Sequence, residues 1–340
     1  MKKVRFGKTE LMVSRIAFGG IPIMRASMAD AVKIIREAIG LGINFIDTAH
    51  VYADSEEKIG EAIKGIKREN LIIASKAPDD SKDAFNKTLD TSLKRLGVDY
   101  IDIYQHHNIA TEAKRDAIFA PGGAFEGLQE AVKAGKVRHA AFSSHSIPLA
   151  MEIMKSGKFA SVQIPFNYID NDAEKEIIPL ARELDMGFIA MKPMGGGLLD
   201  NAELSFRYLL QYDGIVPDPG IEKIEEVREL VGIVEREEPL TAEDKKEIER
   251  LRDEFGPSWC HRCDYCQPCP QGIPISMALT AAGAMKRFTP ERAEAMVGPA
   301  IDKARTCIEC GACMTRCPYR LEIPKLLKER VARWDARTGA

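Results

Sequence analysis

Short β-rich runs alternate with helical segments from residue 1 to about 236, and this alternation limits the fold more than any other feature of the chain. After a small hairpin-like start (Val4–Phe6, Leu11–Val13), strands are predicted at Ile16–Phe18, Asn44–Asp47, Leu71–Lys76 and Tyr100–His107. Four more follow at Ala140–Ser143, Val162–Asn167, Gly187–Lys192 and, shortest of all, Ile215-Val216. Each has a helical segment behind it. The first helix opens on Ser27 and Asp30 in a capping-box-like start and puts Ala31, Ile34, Ile35, Ala38 and Ile39 on one face. Ser81–Leu96 is amphipathic and stops at Gly97, a residue suited to a left-handed C-cap. Eight β-then-α units in this length predict an α/β chain folded as a closed (β/α)8 TIM barrel. An open doubly wound sheet would want G-x-G-x-x-G after its first strand, and AFGGIPIM is not that motif.

A barrel of this kind carries its site at the C-terminal ends of its strands. The second predicted strand ends in Asp47, the third in Lys76 and the fourth in His106-His107, with Tyr52 in the loop just past the second. A turn with a capping Asp and a half-buried Tyr would explain Asp47 and Tyr52 alone. Three titratable groups at the ends of three consecutive strands favour a site.

The remaining third of the chain reads differently. Thr241 opens a helix with Asp244 as its box partner, and a domain boundary is placed near Pro239, giving units 1–239 and 240–340. All eight cysteines follow residue 259, as Cys260-x2-Cys263-x2-Cys266-x2-Cys269-Pro270 and Cys307-x2-Cys310-x2-Cys313-x3-Cys317-Pro318. Two such runs match the spacing of two [4Fe–4S] clusters in which the fourth cysteine of each run crosses to the other cluster. Cys260, Cys263, Cys266 and Cys317 are assigned to one cluster, and Cys307, Cys310, Cys313 and Cys269 to the other. Two zinc sites are the rival reading, disfavoured by the Cys-Pro endings and by runs that are not separated pairs. The segment between the runs is helical in pattern (Ile275–Met285, Glu291–Ala304), and a basic amphipathic helix, Pro324–Arg337, closes the chain as a solvated cover.

Composition narrows the partners. The formal net charge of −3 gives no global field to recruit nucleic acid or an anionic membrane surface. The start MKKVRFGKTELMV has no long apolar core after its lysines, and no run approaches the roughly 20 apolar residues that span a bilayer. A cytoplasmic location is therefore expected.

The stretches GINFIDTAHVY, IIASK, DYIDIYQHH, VRHAAFSSHS, SVQIPFN and GFIAMKPMGGGLL, in this order and spacing, resemble the aldo-keto reductases over nearly all of residues 1–235. The resemblance implies a barrel enzyme that moves a hydride between NADP(H) or NAD(H) and a small carbonyl or alcohol substrate. It maps a catalytic tetrad onto Asp47, Tyr52, Lys76 and His107, choosing His107 over His106 by the Y-x-x-H spacing from Tyr104. His106, one residue away on the strand, is expected to face the helices as a satisfied second-layer histidine. In this scheme Tyr52 is the general acid, Lys76 lowers its pKa, Asp47 keeps Lys76 charged, and His107 orients the substrate oxygen. The nicotinamide carboxamide is placed near Ser143, Ser144 and Gln163, with Ser144 where the family usually has Asn. Met191 stands where an aromatic residue normally stacks, and Lys192 with the Gly195–Gly197 run lies near the pyrophosphate. After the eighth strand PDPGIEKIEEVRE offers only Lys223 and Arg228 as bases, a poor match to the family's seat for a 2′-phosphate. The barrel joined to a helical dicluster module resembles the iron–sulfur branch of the family.

Three readings follow. In the first, carbonyl reduction is coupled to electron transfer through the clusters to a redox partner protein. Because hydride carries two electrons and a cluster one, this calls for a flavin or a substrate that tolerates a radical. In the second, the barrel is an ordinary nicotinamide-dependent reductase and the clusters are structural. In the third, the chain is a silent electron-transfer or scaffold subunit, which the intact tetrad residues argue against. The loop Asn108–Gly123 holds Arg115, either a contact for an acidic substrate or, the favoured reading, a solvated charge.

Overall fold

The computed structural model describes residues 1–338. Packing divides the chain into two compact units, one of Met1–Gly195 with Leu199–Leu240, the other from Thr241 onward with Gly196–Leu198. Among the described residues no helix is long and apolar enough to cross a membrane.

The first unit opens with an antiparallel hairpin, β1 (Lys3–Arg5) and β2 (Met12–Ser14). Eight parallel strands follow: β3 (Phe18–Gly19), β4 (Phe45–Asp47), β5 (Ile72–Ala77), β6 (Ile101–His106), β7 (Val137–Ser143), β8 (Ser161–Pro165), β9 (Gly187–Met191) and β10 (Ile215–Asp218). They pair in sequence order from β3 to β10, and a parallel bridge from Gly19 to Gly220 joins the two ends. Backbone bonds from Ala17 N to Pro217 O and from Gly19 N to Pro219 O complete that seam, so the sheet is a barrel. Its interior is packed by Phe6, Val13, Phe45, Ile72, Ile103 and Ile189 among others, with Phe6 edge-on to Phe45 at 5.5 Å. The strands are buried on both faces, as parallel strands under a layer of helices must be, which is why they read as continuous apolar runs.

The covering helices are α1 (Met28–Gly40), α2 (Ser55–Ala62), α3 (Lys82–Leu96), α4 (Glu112–Phe119), α5 (Ala124–Lys133), α6 (Ile147–Lys155), α7 (Ile177–Glu183), α8 (Ala202–Leu210) and α9 (Ile224–Arg236). The Ser27 hydroxyl caps α1 by accepting from Asp30 N at 3.1 Å, and α3 ends at Gly97 with φ +65°. Two local differences from the sequence reading stand out. Residues 112–119, read as loop, form a helix, because the Thr111 hydroxyl caps it while a single apolar anchor, Ile118, left no periodicity to see. The eighth strand runs to Asp218, two residues beyond its apolar part, because Pro217 and Asp218 continue the register with Ala190 and Met191.

The second unit is helical. It contains α10 (Ala242–Phe255), with Thr241 and Asp244 forming the capping box, then α11 (Ile275–Leu279), α12 (Ala281–Arg287), α13 (Pro290–Ala304), α14 (Ala312–Arg316) and α15 (Ile323–Thr338). Ile275, Val297, Ile301, Ile323 and Leu327 form its core together with the buried Cys266 and Cys313. Arg316 ties the two cysteine runs together, donating to Gln267 O and Pro268 O, both at 2.9 Å.

Candidate functional site

The strand ends do converge. Asp47 closes β4, Lys76 is the penultimate residue of β5, and His107 follows β6. The Lys76 Nζ donates to Asp47 Oδ2 at 2.5 Å and to Thr48 O at 2.6 Å, and both charged side chains are buried. Burial disfavours the Lys76 ammonium, but Asp47, Tyr52 and Asp218 outweigh it and hold its pKa above the ordinary lysine value. Tyr52 sits in the turn after β4. That turn is pinned by Thr48 N and His50 N donating to Ala74 O and Lys76 O of β5, and by Ser55, whose hydroxyl donates to Gly20 O at 2.8 Å. The Lys76 Nζ lies 5.2 Å from the centre of the Tyr52 ring, which in turn meets the His107 ring edge-on at 5.8 Å. Burial, reinforced by Lys76, Lys114 and Lys192, pushes His107 down to about 3, so its imidazole is neutral.

Gln163 is a neighbour that the resemblance already names, while Gln105, Lys114 and Asp218 are not evident from the sequence. Gln105 Nε2 and Gln163 Nε2 face Asp47 at 3.5 and 3.4 Å, and Gln163 Nε2 also donates to Asp218 Oδ2 at 3.0 Å. Lys114 Nζ donates to the His107 carbonyl at 2.9 Å. Arg115, the base singled out in the sequence, is paired with Asp116 and Glu152 instead. Only the rule that strand ends carry the site could have found Asp218, and it required the correct end of β10.

The residues proposed for the nicotinamide divide into two groups. Ser143 Oγ accepts from Asn108 N at 2.8 Å and Ser144 Oγ donates to Ile109 O at 2.6 Å, so both hydroxyls anchor the loop after β6. Gln163 Oε1 is buried with no partner, an acceptor open to an amide N–H, and this fits a carboxamide. Met191 ends β9 opposite Asp218, and Lys192 Nζ lies 3.2 Å from His145 Nε2.

His106 is where the strand alternation puts it, on the helix side. Its ring packs against Phe85, Phe125 and Phe159 at 5.1, 6.3 and 6.1 Å. Contrary to the expectation of a satisfied histidine, neither ring nitrogen has a hydrogen-bond partner, because its neighbours are aromatic rings. Burial, with Lys114 adding to it, pushes its pKa down to about 3.

In the second unit the cysteines collect around two cavities. Cys260, Cys263, Cys266 and Cys317 line one, and Cys269, Cys307, Cys310 and Cys313 line the other. Each cavity thus takes three cysteines from one run and the last from the other. Among the described residues no three His, Cys, Asp or Glu side chains sit close enough to hold a single metal ion. Four sulfur donors around such a cavity fit an iron–sulfur cluster. His261 stacks on Tyr319 at 3.7 Å beside the first cavity. Burial pushes Cys260 up to about 11 and Cys266 up to about 12, so it is bound metal that would make them thiolates.

Residues 15–204 match the aldo/keto reductase family and residues 259–322 match the 4Fe-4S dicluster domain. A probable aldo-keto reductase 1 of Glycine max is 30% identical over 215 residues, 58% of this chain and 60% of that protein. The NADH-specific methylglyoxal reductase of Escherichia coli is 29% identical over 229 residues, 58% of this chain and 69% of that protein. The holo form of aldo-keto reductase AKR11C1 from Bacillus halodurans superposes with a TM-score of 0.64 at 27% identity, covering 74% of this chain and 96% of that one. The chain spans about three fifths of the soybean relative's length. With a parallel eight-stranded barrel whose strand ends meet at one mouth, this chain belongs to the aldo/keto reductase family and carries a C-terminal 4Fe-4S dicluster domain.

Proposed function

We propose that the barrel interconverts a small carbonyl compound and its alcohol, with Tyr52 as the proton donor and acceptor. The observation that carries this is the buried Asp47–Lys76 pair with the Lys76 ammonium 5.2 Å from the Tyr52 ring and the His107 ring beside it. A phenol is a weak acid at neutral pH, and a nearby fixed cation stabilises its anion. Asp47 and the Thr48 carbonyl hold that cation in place, so Tyr52 can give its proton to a carbonyl oxygen as negative charge develops there. The neutral His107 offers an N–H to the same oxygen, and a donor already in position costs no reorganisation during reaction. Gln163 would hold the carboxamide of a bound nicotinamide through its open Oε1, with Ser143 and Ser144 framing the site through the loop they anchor and Met191 and Lys192 at its rim. A bound nicotinamide supplies or takes up the hydride.

We read the nicotinamide as NAD(H) in preference to NADP(H). The family places a 2′-phosphate after the eighth strand, but here Glu226 Oε2 accepts from Glu222 N and Lys223 N at 2.8 and 3.1 Å, and Arg228 is paired with Glu37. A carboxylate already occupies the donors a phosphate would use. The relative named as NADH-specific agrees with this.

The eight cysteines would hold two [4Fe–4S] clusters in the crossed arrangement, and these would pass single electrons to or from a redox partner. Anaerobic addition of NADH tests the whole reading through the visible absorption of the clusters. Bleaching supports electron exchange with the barrel and directs a search for a bound flavin. Steady NADH oxidation on adding carbonyls without bleaching makes the clusters structural. No response to NADH or NADPH with any carbonyl overturns the assignment.

A further inference from the structure

β10 ends in Asp218, a buried carboxyl that the proposed chemistry does not use. Its Oδ2 accepts from Gln163 Nε2 at 3.0 Å, and the same Nε2 lies 3.4 Å from Asp47 Oδ2, so one amide bridges the two carboxyls. Its Oδ1 is buried without a hydrogen-bond partner. The first strand makes room for it at Gly19, where a Cβ would fall 2.9 Å from Asp218 Oδ1 and 2.5 Å from Pro219 O. Two carboxyl groups therefore share one ammonium, that of Lys76, away from water. With both carboxyls ionised the cluster would carry a net negative charge in a medium that solvates it poorly, and one proton removes that charge. Burial first, and Asp47 second, push the Asp218 carboxyl well above the usual carboxylate range, with Lys76 and Gln163 only partly offsetting them.

We propose that Asp47 and Asp218 hold one proton between them at neutral pH, and that Asp218 is thereby a positioning residue for Lys76 and, through it, for Tyr52. The second half rests on the reading of Tyr52 as the general acid. A protonated Asp218 donates to Asp47 and withdraws part of the negative charge that Asp47 presents to Lys76. The ammonium then acts more strongly on the phenol. Loss of the shared proton adds a second full negative charge beside Lys76 and cancels part of its effect on Tyr52. The charged groups facing Asp218 are Asp47 from β4 and Lys76 from β5, with the neutral Gln163 from β8. The rate of reduction should therefore fall on the alkaline side as the shared proton is lost.

Infrared spectroscopy of the cluster-loaded protein at neutral pH tests the proton directly. A buried carboxylic acid C=O band is expected in the wild type and should be missing from both Asp218→Asn and Asp47→Asn, because each leaves one carboxylate opposite Lys76. In the kcat–pH profile, Asp218→Asn, whose amide still donates to Asp47, should keep the neutral-pH rate within about threefold and lose the alkaline fall. Asp218→Val, which cannot donate, should lower the rate by about tenfold, the worth of one charge-assisted hydrogen bond. A wild type without the band, or a band that survives Asp218→Asn, overturns the shared proton whatever the activity. A kcat–pH profile of Asp218→Asn that superimposes on the wild type overturns the positioning role. If the band behaves as expected but Tyr52→Phe reduces carbonyls normally, the shared proton stands and the positioning role falls with the Tyr52 reading.

Discussion

The Lys76 ammonium and the Asp47 carboxylate meet at 2.5 Å with both side chains buried, beside the equally buried Gln105, Gln163 and Asp218. Taking two charges out of water is expensive, and removing one partner leaves the other uncompensated. Lys76→Met should therefore cost about 3–5 kcal/mol of stability as well as activity, whereas Tyr52→Phe, at a half-buried position, should leave the melting temperature almost unchanged. The loss of kcat in Tyr52→Phe should be about 10²–10⁴-fold, the range for a general acid. Thermal melts and steady-state rates on the same preparations separate the two effects.

His106 should make the fold acid-sensitive. Its folded pKa lies near 3, below the ordinary value of 6.5, because burial among aromatic rings disfavours the imidazolium. The unfolded chain then binds a proton that the folded chain refuses, so stability is complete above about pH 6.5 and is lost as pH falls towards 3. The loss is about 1.4 kcal/mol per pH unit for one such group. His106→Leu should flatten the acid side of a stability–pH curve by about this slope, read by urea unfolding between pH 7 and pH 4, with His107 still contributing its own share.

The crossed ligand sets proposed for the two clusters predict a signature in iron content. Cys266→Ser and Cys317→Ser line one cavity, so the double variant should lose no more iron than either single one. Cys317→Ser combined with Cys313→Ser removes a ligand from each cavity and should strip the protein of nearly all its iron. Because Cys266 and Cys313 belong to the core of the second unit, removing the iron with a chelator should melt its helices while the barrel signal persists. Iron analysis and far-ultraviolet circular dichroism give the two readouts.

Glu226→Gln should raise the ratio of NADPH to NADH efficiency. The change removes a negative charge from the N-terminal end of α9, where Glu226 accepts from Glu222 N and Lys223 N. A charge at a helix terminus is worth about 1 kcal/mol, so the ratio of kcat/KM values should move about fivefold. An unchanged ratio would mean that this helix end does not meet the nucleotide.

Much of the molecule could be read locally. The alternation of apolar runs and helical periodicity identifies the barrel, the rule that strand ends carry the site picks out Asp47, Lys76 and the pair His106-His107, and the family resemblance chooses His107 from that pair. What failed was tied to boundaries. Asp218 was passed over because the apolar part of β10 stops at Val216, and nothing in the residues 217–218 themselves says that pairing with Ala190 and Met191 carries the strand on. Lys114 was hidden because residues 112–119 have too few apolar positions to show a helix, so the neighbouring Arg115 drew attention in its place.

By itself the sequence determined most of the elements and the cysteine spacing, the helix at residues 112–119 and the end of β10 excepted, since both depend on residues within a few positions of one another. Periodicity, caps and ligand spacing are short-range properties. The tertiary structure alone decided which polar groups share a dry space. Asp47, Lys76, Gln163 and Asp218 are distant in the chain, and they meet because eight strands of fixed register end at one mouth. The same closure leaves His106 without a hydrogen-bond partner among Phe85, Phe125 and Phe159. Protonation of a buried group follows the charges that surround it, and those neighbours are fixed only when the barrel closes.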